Sequence, residues 1–232
     1  MRWIAVLIFA GSCESGFAPK PLPELVKPAP PVVATAASAR LLLPPGESLI
    51  WQVHADGIVI GRAELVVSND EVHSKFATNA LASMFAPVRY ELATALDRAG
   101  ARPRAAEETI AIAGDTSHAA ATFDGTHAAI DATNLDAPAP IHTLHTALGW
   151  LRAWARDGAP PAVVYVVHDR ELYRIEIAAP VRETLRERAT LRFDAHAGAV
   201  ALVVWLSDDA KRTPLRIVAK AGGIDVVAEL VT

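Results

Sequence analysis

From Gly46 onward the chain is cut into short apolar segments by turn-forming residues: Asp56-Gly57, Asn69-Asp70, Gly100, Gly114-Asp115, Asp124-Gly125, His168-Asp169, Ala197-Gly198, Ser207-Asp208-Asp209 and Gly222-Gly223. Asp-Gly and Gly-Gly pairs accept the positive φ angles of tight hairpins, so each marks a chain reversal. Between reversals the segments are rich in β-branched residues, as in LIWQVHA, IVIGRAELVV, AVVYVVHD and VALVVWLS. Several alternate with period two. Tyr173, Ile175 and Ile177 oppose Arg174 and Glu176; Leu215, Ile217 and Ala219 oppose Arg216, Val218 and Lys220. Tight reversals join only antiparallel neighbours, because parallel strands need long crossovers. The spacing therefore predicts an antiparallel meander with one buried and one wetted face.

One segment has a helical period instead. Ile141, Leu144, Leu148, Leu151 and Ala155 recur at steps of three and four. The apolar arc runs from Trp150 through Trp154, Ala147, Leu151 and Leu144 to Ile141, about half the helical wheel. Pro138 and Pro140 suit its start and Gly158 its end. The expected fold is mainly β: an open or half-closed β-barrel with this one amphipathic helix packed on its concave face. A single domain covers 46–232.

The segments GESLIWQVHADGIVIGRAEL, LRAWARDG and VVWLSDDAKRTPLRIVAKAGGIDVVAEL resemble the bacterial envelope family named domain of unknown function 3108. Its Gly-Glu start, first-strand aromatic, Gly-Ile and Gly-x-Ala are matched by Gly46, Glu47, Trp51, Gly57, Ile58, Gly61 and Ala63. Its Trp-Leu-Ser-Asp-Asp stretch with following Arg, Pro and basic strand is matched by Trp205, Leu206, Ser207, Asp208, Asp209, Arg212, Pro214 and Lys220. The Ala-rich stretch from Arg98 to Pro138 departs from the pattern. That resemblance implies an envelope location and brings no activity with it. More loosely, the order of strands, single helix and late Trp-x-Asp is similar to the half-barrels of lipoprotein carriers, which shelter acyl chains; that is analogy of fold alone.

The first residues give an address. MRWIAVLIFAGSC places Arg2 before a short apolar run that ends in small residues, the order of a secretory signal and too short to span a bilayer. Ala10-Gly11-Ser12-Cys13 resembles a lipobox, so residues 1–12 are expected to be a signal peptide and Cys13 the lipid anchor. Residues 13–45 then form a tether. Eight of the 16 prolines fall there: Pro19, Pro21, Pro23, Pro28, Pro30, Pro31, Pro44 and Pro45. Proline locks φ and lacks an amide donor, which makes an extended, semi-rigid spacer. Glu14, rather than aspartate, follows the cysteine, which points to the outer membrane, facing the periplasm. The expected partner is the membrane, through acylated Cys13.

Composition excludes several classes of function. With 22 Lys+Arg against 26 Asp+Glu and no basic run, the chain lacks the clustered cations that nucleic-acid binding needs. One cysteine excludes an internal disulfide framework and a Cys-based zinc site. No Gly-x-Ser-x-Gly, His-Glu-x-x-His, phosphate loop or EF-hand spacing occurs. His142 and His145 stand three apart, but the wheel puts both on the polar side beside Arg152 and Arg156, where they read as solvated. His54 and His168 read as hairpin residues, Asp208-Asp209 as a charged tip and Glu107-Glu108 as a wet strand end. Neither catalytic residues, nor a metal, nor a cofactor is expected.

The aromatic residues suggest a hydrophobic ligand. Trp51, Tyr165, Tyr173 and Trp205 fall in strands, and small residues such as Gly61, Ala63, Ala219 and Ala228 lie near them in order. If these face inward, a cavity opens between sheet and helix, lined by Trp51, Leu144, Leu148, Leu151, Tyr165, Tyr173 and Trp205. The leading expectation is a non-catalytic envelope lipoprotein that binds or shuttles an acyl chain, lipid or lipoprotein, or assists outer-membrane assembly. The alternative is a structural or partner-binding periplasmic module with a filled interior and a working surface. A hydrolase of envelope polymer is a distant third.

Overall fold

The computed structural model describes residues 41–231, Asp157 excepted. The signal, Cys13 and the tether to residue 40 lie outside the described residues. The first eight strands are β1 (Ser48–Ala55), β2 (Ile58–Val67), β3 (Glu71–Thr78), β4 (Val88–Asp97), β5 (Arg102–Ile112), β6 (Asp115–Asp124), β7 (His127–Ile130) and β8 (Thr133–Asp136). Next come β9 (Ile141–His142), β10 (Ala162–His168), β11 (Glu171–Ile177), β12 (Val181–Leu185), β13 (Arg188–Ala197), β14 (Val200–Ser207), β15 (Pro214–Ala221) and β16 (Ile224–Leu230). Two helices interrupt them, α1 (Ala80–Ser83) and α2 (Leu144–Trp154). No described helix is long and apolar enough to cross a membrane.

The sixteen strands form one sheet, ordered β8-β7-β6-β5-β4-β3-β2-β1-β16-β15-β14-β13-β11-β10-β9, with β12 off the path on β13. Every pairing is antiparallel except β9 with β10. The predicted reversals are where the strands turn: Asp56 and Gly57 both take positive φ, 47° and 82°, at the β1–β2 hairpin. At β13 the sheet forks. Ala195 and His196 of β13 pair with β11, and residues 188–192 of the same edge take β12.

Alternation decides the concave face. In β4, Val88, Tyr90, Leu92, Thr94 and Leu96 are buried while Arg89 and Glu91 are exposed. In β10, Ala162, Val164 and Val166 join a core with Trp154, Phe193, Leu191 and Leu206, whereas Val167 on the opposite face packs on Ala119, Ala121 and Ile130 of β6 and β7. The sheet therefore rolls until its two ends overlap, with β10 lying inside β6–β7. Among the described residues no ladder closes the roll.

Helix α2 begins with a capping box in which Thr143 and Thr146 satisfy each other's backbone amides. Gly158, at φ 71°, follows its end as expected. The helix is shorter than the apolar period, because Ile141 and His142 are used as β9. The folded body also starts earlier than Gly46. Leu42 donates to the Gly149 carbonyl at 3.0 Å, and Leu43 is 1% exposed, so the segment from Leu41 to Pro45 straps α2 instead of belonging to the spacer. A Cβ on Gly149 would sit 2.7 Å from the Leu43 side chain, which is why glycine stands at the crossing.

Candidate functional site

The apolar side of α2 packs on the sheet as expected, and its polar side is buried as well. His145 is 3% exposed; its Nδ1 meets the Thr94 hydroxyl at 2.9 Å and its Nε2 the Ser74 hydroxyl at 2.8 Å. His142, also buried, meets Thr146 at 3.3 Å, and Thr94 donates to Thr143 at 3.1 Å. The expectation of solvated histidines is therefore overturned: hydroxyls of β3, β4 and α2 make a polar lining that the wheel alone cannot show. Burial drives both imidazoles to the neutral form, with His142 lowered to about 4 and His145 to about 3. Among the described residues no group of three metal-ligating side chains gathers.

Arg152 is reversed in the same way. It is 1% exposed and forms a bidentate pair with Glu47, at 2.6 and 2.8 Å, while donating to the Lys211 and Arg212 carbonyls at 2.8 and 3.1 Å. Arg212 in turn donates to the Ala155 carbonyl at 3.0 Å and pairs with Asp208 at 2.7 Å. Asp209 accepts the amides of Lys211 and Arg212, at 2.8 and 3.1 Å, which sets the loop. The Gly46-Glu47 start and the Ser207–Arg212 stretch, far apart in sequence, thus converge on the last turn of α2. Asp208-Asp209, read as a charged tip, is the clamp on that turn.

A second polar cluster lies at the overlap of the sheet ends. Glu108 is buried, not a wet strand end. It accepts from the Tyr90 hydroxyl at 2.8 Å, the Asp169 amide at 2.6 Å and His168 Nδ1 at 2.6 Å. Burial pushes the Glu108 carboxyl up, but the His168 contact, the Asp169 amide and the Tyr90 hydroxyl together hold it below the usual range. Burial, then Glu108, raises Tyr90 well above its ordinary value. Outside this cluster, Arg170 pairs with Asp131 at 2.8 Å and donates to Ser117 at 2.9 Å. Side chains and the Ile141 amide, which donates to the Gly125 carbonyl at 2.9 Å, fasten the roll in place of a ladder. Glu108→Ala strips three donors of their acceptor and is expected to cost about 3 kcal/mol, read from denaturant midpoints. Glu108→Gln should fall between it and the parent.

The expected cavity-lining residues do not gather around one space. Trp51 is buried, donates Nε1 to the Pro214 carbonyl at 3.0 Å, and packs in a cluster with Leu148. Leu151 belongs to a different cluster, with Trp154 and Phe193. Leu144 is 40% exposed. Tyr173 shares a strand face with the buried Ile177, and its hydroxyl turns to Glu171. Tyr165 and Trp205 are corrections: alternation puts them on the outer face, opposite Arg174 and Arg216. Trp205 lies under the Arg216 guanidinium, 5.3 Å from ring centre, and donates to Glu183. Period two was legible there, but which face is inner was not.

Sequence reasoning missed an exposed apolar rim. The connection between β3 and β4, NALASMFAP, carries no charge. Leu81, Met84 and Phe85 are 60, 80 and 84% exposed, and Ile58 and Val59 of the adjoining β1–β2 hairpin 63 and 36%. Asn79 ties the two together: its Nδ2 donates to the Val59 carbonyl and its backbone amide to that of Ile60, both at 2.7 Å, while its Oδ1 caps α1 at Ala82. Below the rim a shallow groove of about 580 Å³ runs over Gly61 and Ala77 between Val59, Arg62 and Val231. The signal was an uncharged run containing Met and Phe between two strands.

The fold is that of a mainly antiparallel, β-barrel-like domain. No protein-family model matches the chain, and no curated protein matches it in sequence. Among solved structures, it is similar to a β-barrel-like protein of domain of unknown function DUF1849 from Brucella abortus. The TM-score is 0.58 at 9% identity, over 80% of this chain and 95% of that one, a likeness of fold alone. A DUF1089 family protein from Pseudomonas aeruginosa aligns with a TM-score of 0.45 at 15% identity, over 67% of this chain and 88% of that one.

Proposed function

We propose that the chain is a non-catalytic module of the bacterial envelope, related to domain of unknown function 3108, held at the outer membrane by acylated Cys13 and a proline-rich spacer, and acting through its outer surface. The observation that carries the surface reading is the seat of α2. Its polar side is bonded to Ser74, Thr94 and Glu47, and its other side joins two packed clusters, so the set expected to line an acyl-chain cavity is dispersed. A shuttle for an acyl chain needs that space; a partner-binding module does not.

The hydrolase reading finds no support in the nearest hydroxyl–imidazole pair. Ser74 and His145 are in contact, but the ring is held neutral to about pH 3 and its other nitrogen meets Thr94 rather than a carboxylate. A base so weak draws little from serine at neutral pH.

Native mass spectrometry tests the reading on the full chain carrying Cys13→Ser, purified without detergent. A bare polypeptide mass as purified is the expected result. A stoichiometric co-purified lipid would overturn it in favour of a carrier.

A further inference from the structure

We propose that the rim formed by α1 and the β1–β2 hairpin docks on an anionic membrane surface, with its apolar side chains in the acyl boundary and Arg62 and Arg89 at the phosphates. The inference rests on the surface-acting reading and names the partner. It does not depend on the lipid anchor.

Three observations carry it. First, the rim is ordered although its large side chains bury little. Thr78 and Ser83 hydroxyls meet at 2.8 Å, the Thr78 hydroxyl accepts the Val88 amide at 3.0 Å, and Ala86 donates to the Ala82 carbonyl at 3.0 Å. A loop held this firmly, with Met84 and Phe85 facing water, carries its ordering cost before any partner arrives. Second, the apolar exposure is gathered. Five of the nine exposed large apolar side chains among the described residues, Ile58, Val59, Leu81, Met84 and Phe85, belong to these two adjoining connections.

Third, the strand charges nearest the rim are cationic, with Glu64 and Glu91 one step further along the same face. Arg62 and Arg89 flank Ala77 in cross-strand register on the outer face, directly behind the rim. Both are exposed, and among the described residues Arg62 has no ion-pair partner. Arg89 stands 3.9 Å from Glu91, a loose and exposed contact. An apolar tip backed by guanidinium groups matches the layering of a bilayer surface, where acyl chains lie under a sheet of phosphates. Asp56, at the hairpin tip, opposes this, and its carboxylate is turned back onto the Asp225 amide at 3.3 Å. A protein partner would need a carboxylate of its own to meet the arginine that borders the tip, whereas an anionic bilayer presents phosphate along the whole rim.

The test is co-sedimentation of the full chain carrying Cys13→Ser with vesicles of phosphatidylethanolamine and phosphatidylglycerol, and with vesicles of phosphatidylcholine alone. The expected result is binding to the anionic vesicles that weakens as salt rises. Met84→Ser with Phe85→Ser should reduce partitioning at least tenfold on them, and Arg62→Gln roughly fivefold. These substitutions touch exposed side chains, so circular dichroism and melting should match the parent. Equal sedimentation of parent and rim variant, or none by either, overturns the proposal. So does a concentration-dependent dimer abolished by Phe85→Ser, which would make a second copy the occupant. Absence of vesicle binding with a bare native mass would leave the surface-acting reading standing; a co-purified lipid would remove that reading itself.

Discussion

Glu47→Ala is expected to lower the unfolding free energy by about 3–5 kcal/mol and the melting midpoint by roughly 10 °C. The reason is what it leaves behind. The Arg152 side chain is 0% exposed and is positioned by four contacts, two from Glu47 and two from the Lys211 and Arg212 carbonyls. The carbonyls satisfy hydrogen bonds but supply no net charge, so without Glu47 a full cation stays buried and unpaired. Arg152→Met alone strands the partly buried Glu47 and two carbonyls, and should cost less, since Glu47 is 12% exposed and reaches water more readily. Combining Glu47→Leu with Arg152→Met should recover most of the loss, because a packed apolar pair replaces a buried ion pair at little net cost. Thermal and urea unfolding of the four proteins makes the cycle. A Glu47→Ala midpoint within 2 °C of the parent would show that water reaches Arg152.

The second large effect is a loss of stability between about pH 6.5 and pH 4. His142 and His145 have folded values of about 4 and about 3 against an ordinary 6.5. Burial is the main cause for each; for His145 the His73 charge adds to it and Glu108 opposes it. A depressed histidine takes its proton in the unfolded chain first. Its contribution is therefore fully present above pH 6.5, and falls as pH drops toward the folded value. By pH 4 each histidine is expected to have withdrawn about 3 kcal/mol, since one unit is about 1.4 kcal/mol. The lowered Glu108 acts in a separate, more acid window: its contribution is present above the ordinary carboxylate value of 4.5 and lost below it, toward its folded value. Urea unfolding at pH 7, 5.5 and 4 reads the histidine term directly. His142→Gln with His145→Gln should be less stable at pH 7 and should flatten the profile from 7 to 4. A pH slope equal in parent and double variant would locate the acid sensitivity elsewhere.

Local pattern carried the architecture well. Period two in β11 and β15, and the Asp-Gly and Gly-Gly reversals, are properties of neighbouring residues, and the strands follow them. The period of α2 was equally local. The burial of its polar side was not. The wheel counts side chains as apolar or polar and assigns the polar ones to water, but Ser74, Thr94 and Glu47 lie 71, 51 and 105 residues from their partners on α2. The same holds at Glu108, whose partner His168 is 60 residues away; two adjacent glutamates look alike until the strand turns one of them inward. Trp205 and Tyr165 fail for a related reason, since an aromatic ring stacked under arginine or beside the opposite face has the composition of a core residue. The apolar rim was visible as composition, but only exposure distinguishes it from another buried segment.

The strap across α2 also sets a direction for mechanical load. If the chain before Leu41 is anchored, tension along it reaches the domain at the Leu42–Gly149 hydrogen bond. Behind that bond stand the paired amides of Gly46 and Val67, donating to the carbonyls of Val67 and Glu47 at 2.8 and 2.9 Å, and then the Glu47–Arg152 pair. Pull is thus delivered first to the helix and the first hairpin, while the rolled sheet's overlap at Glu108 and Arg170 lies off that line. The molecule is reinforced where a leash would tug on it, and its sheet ends are spared.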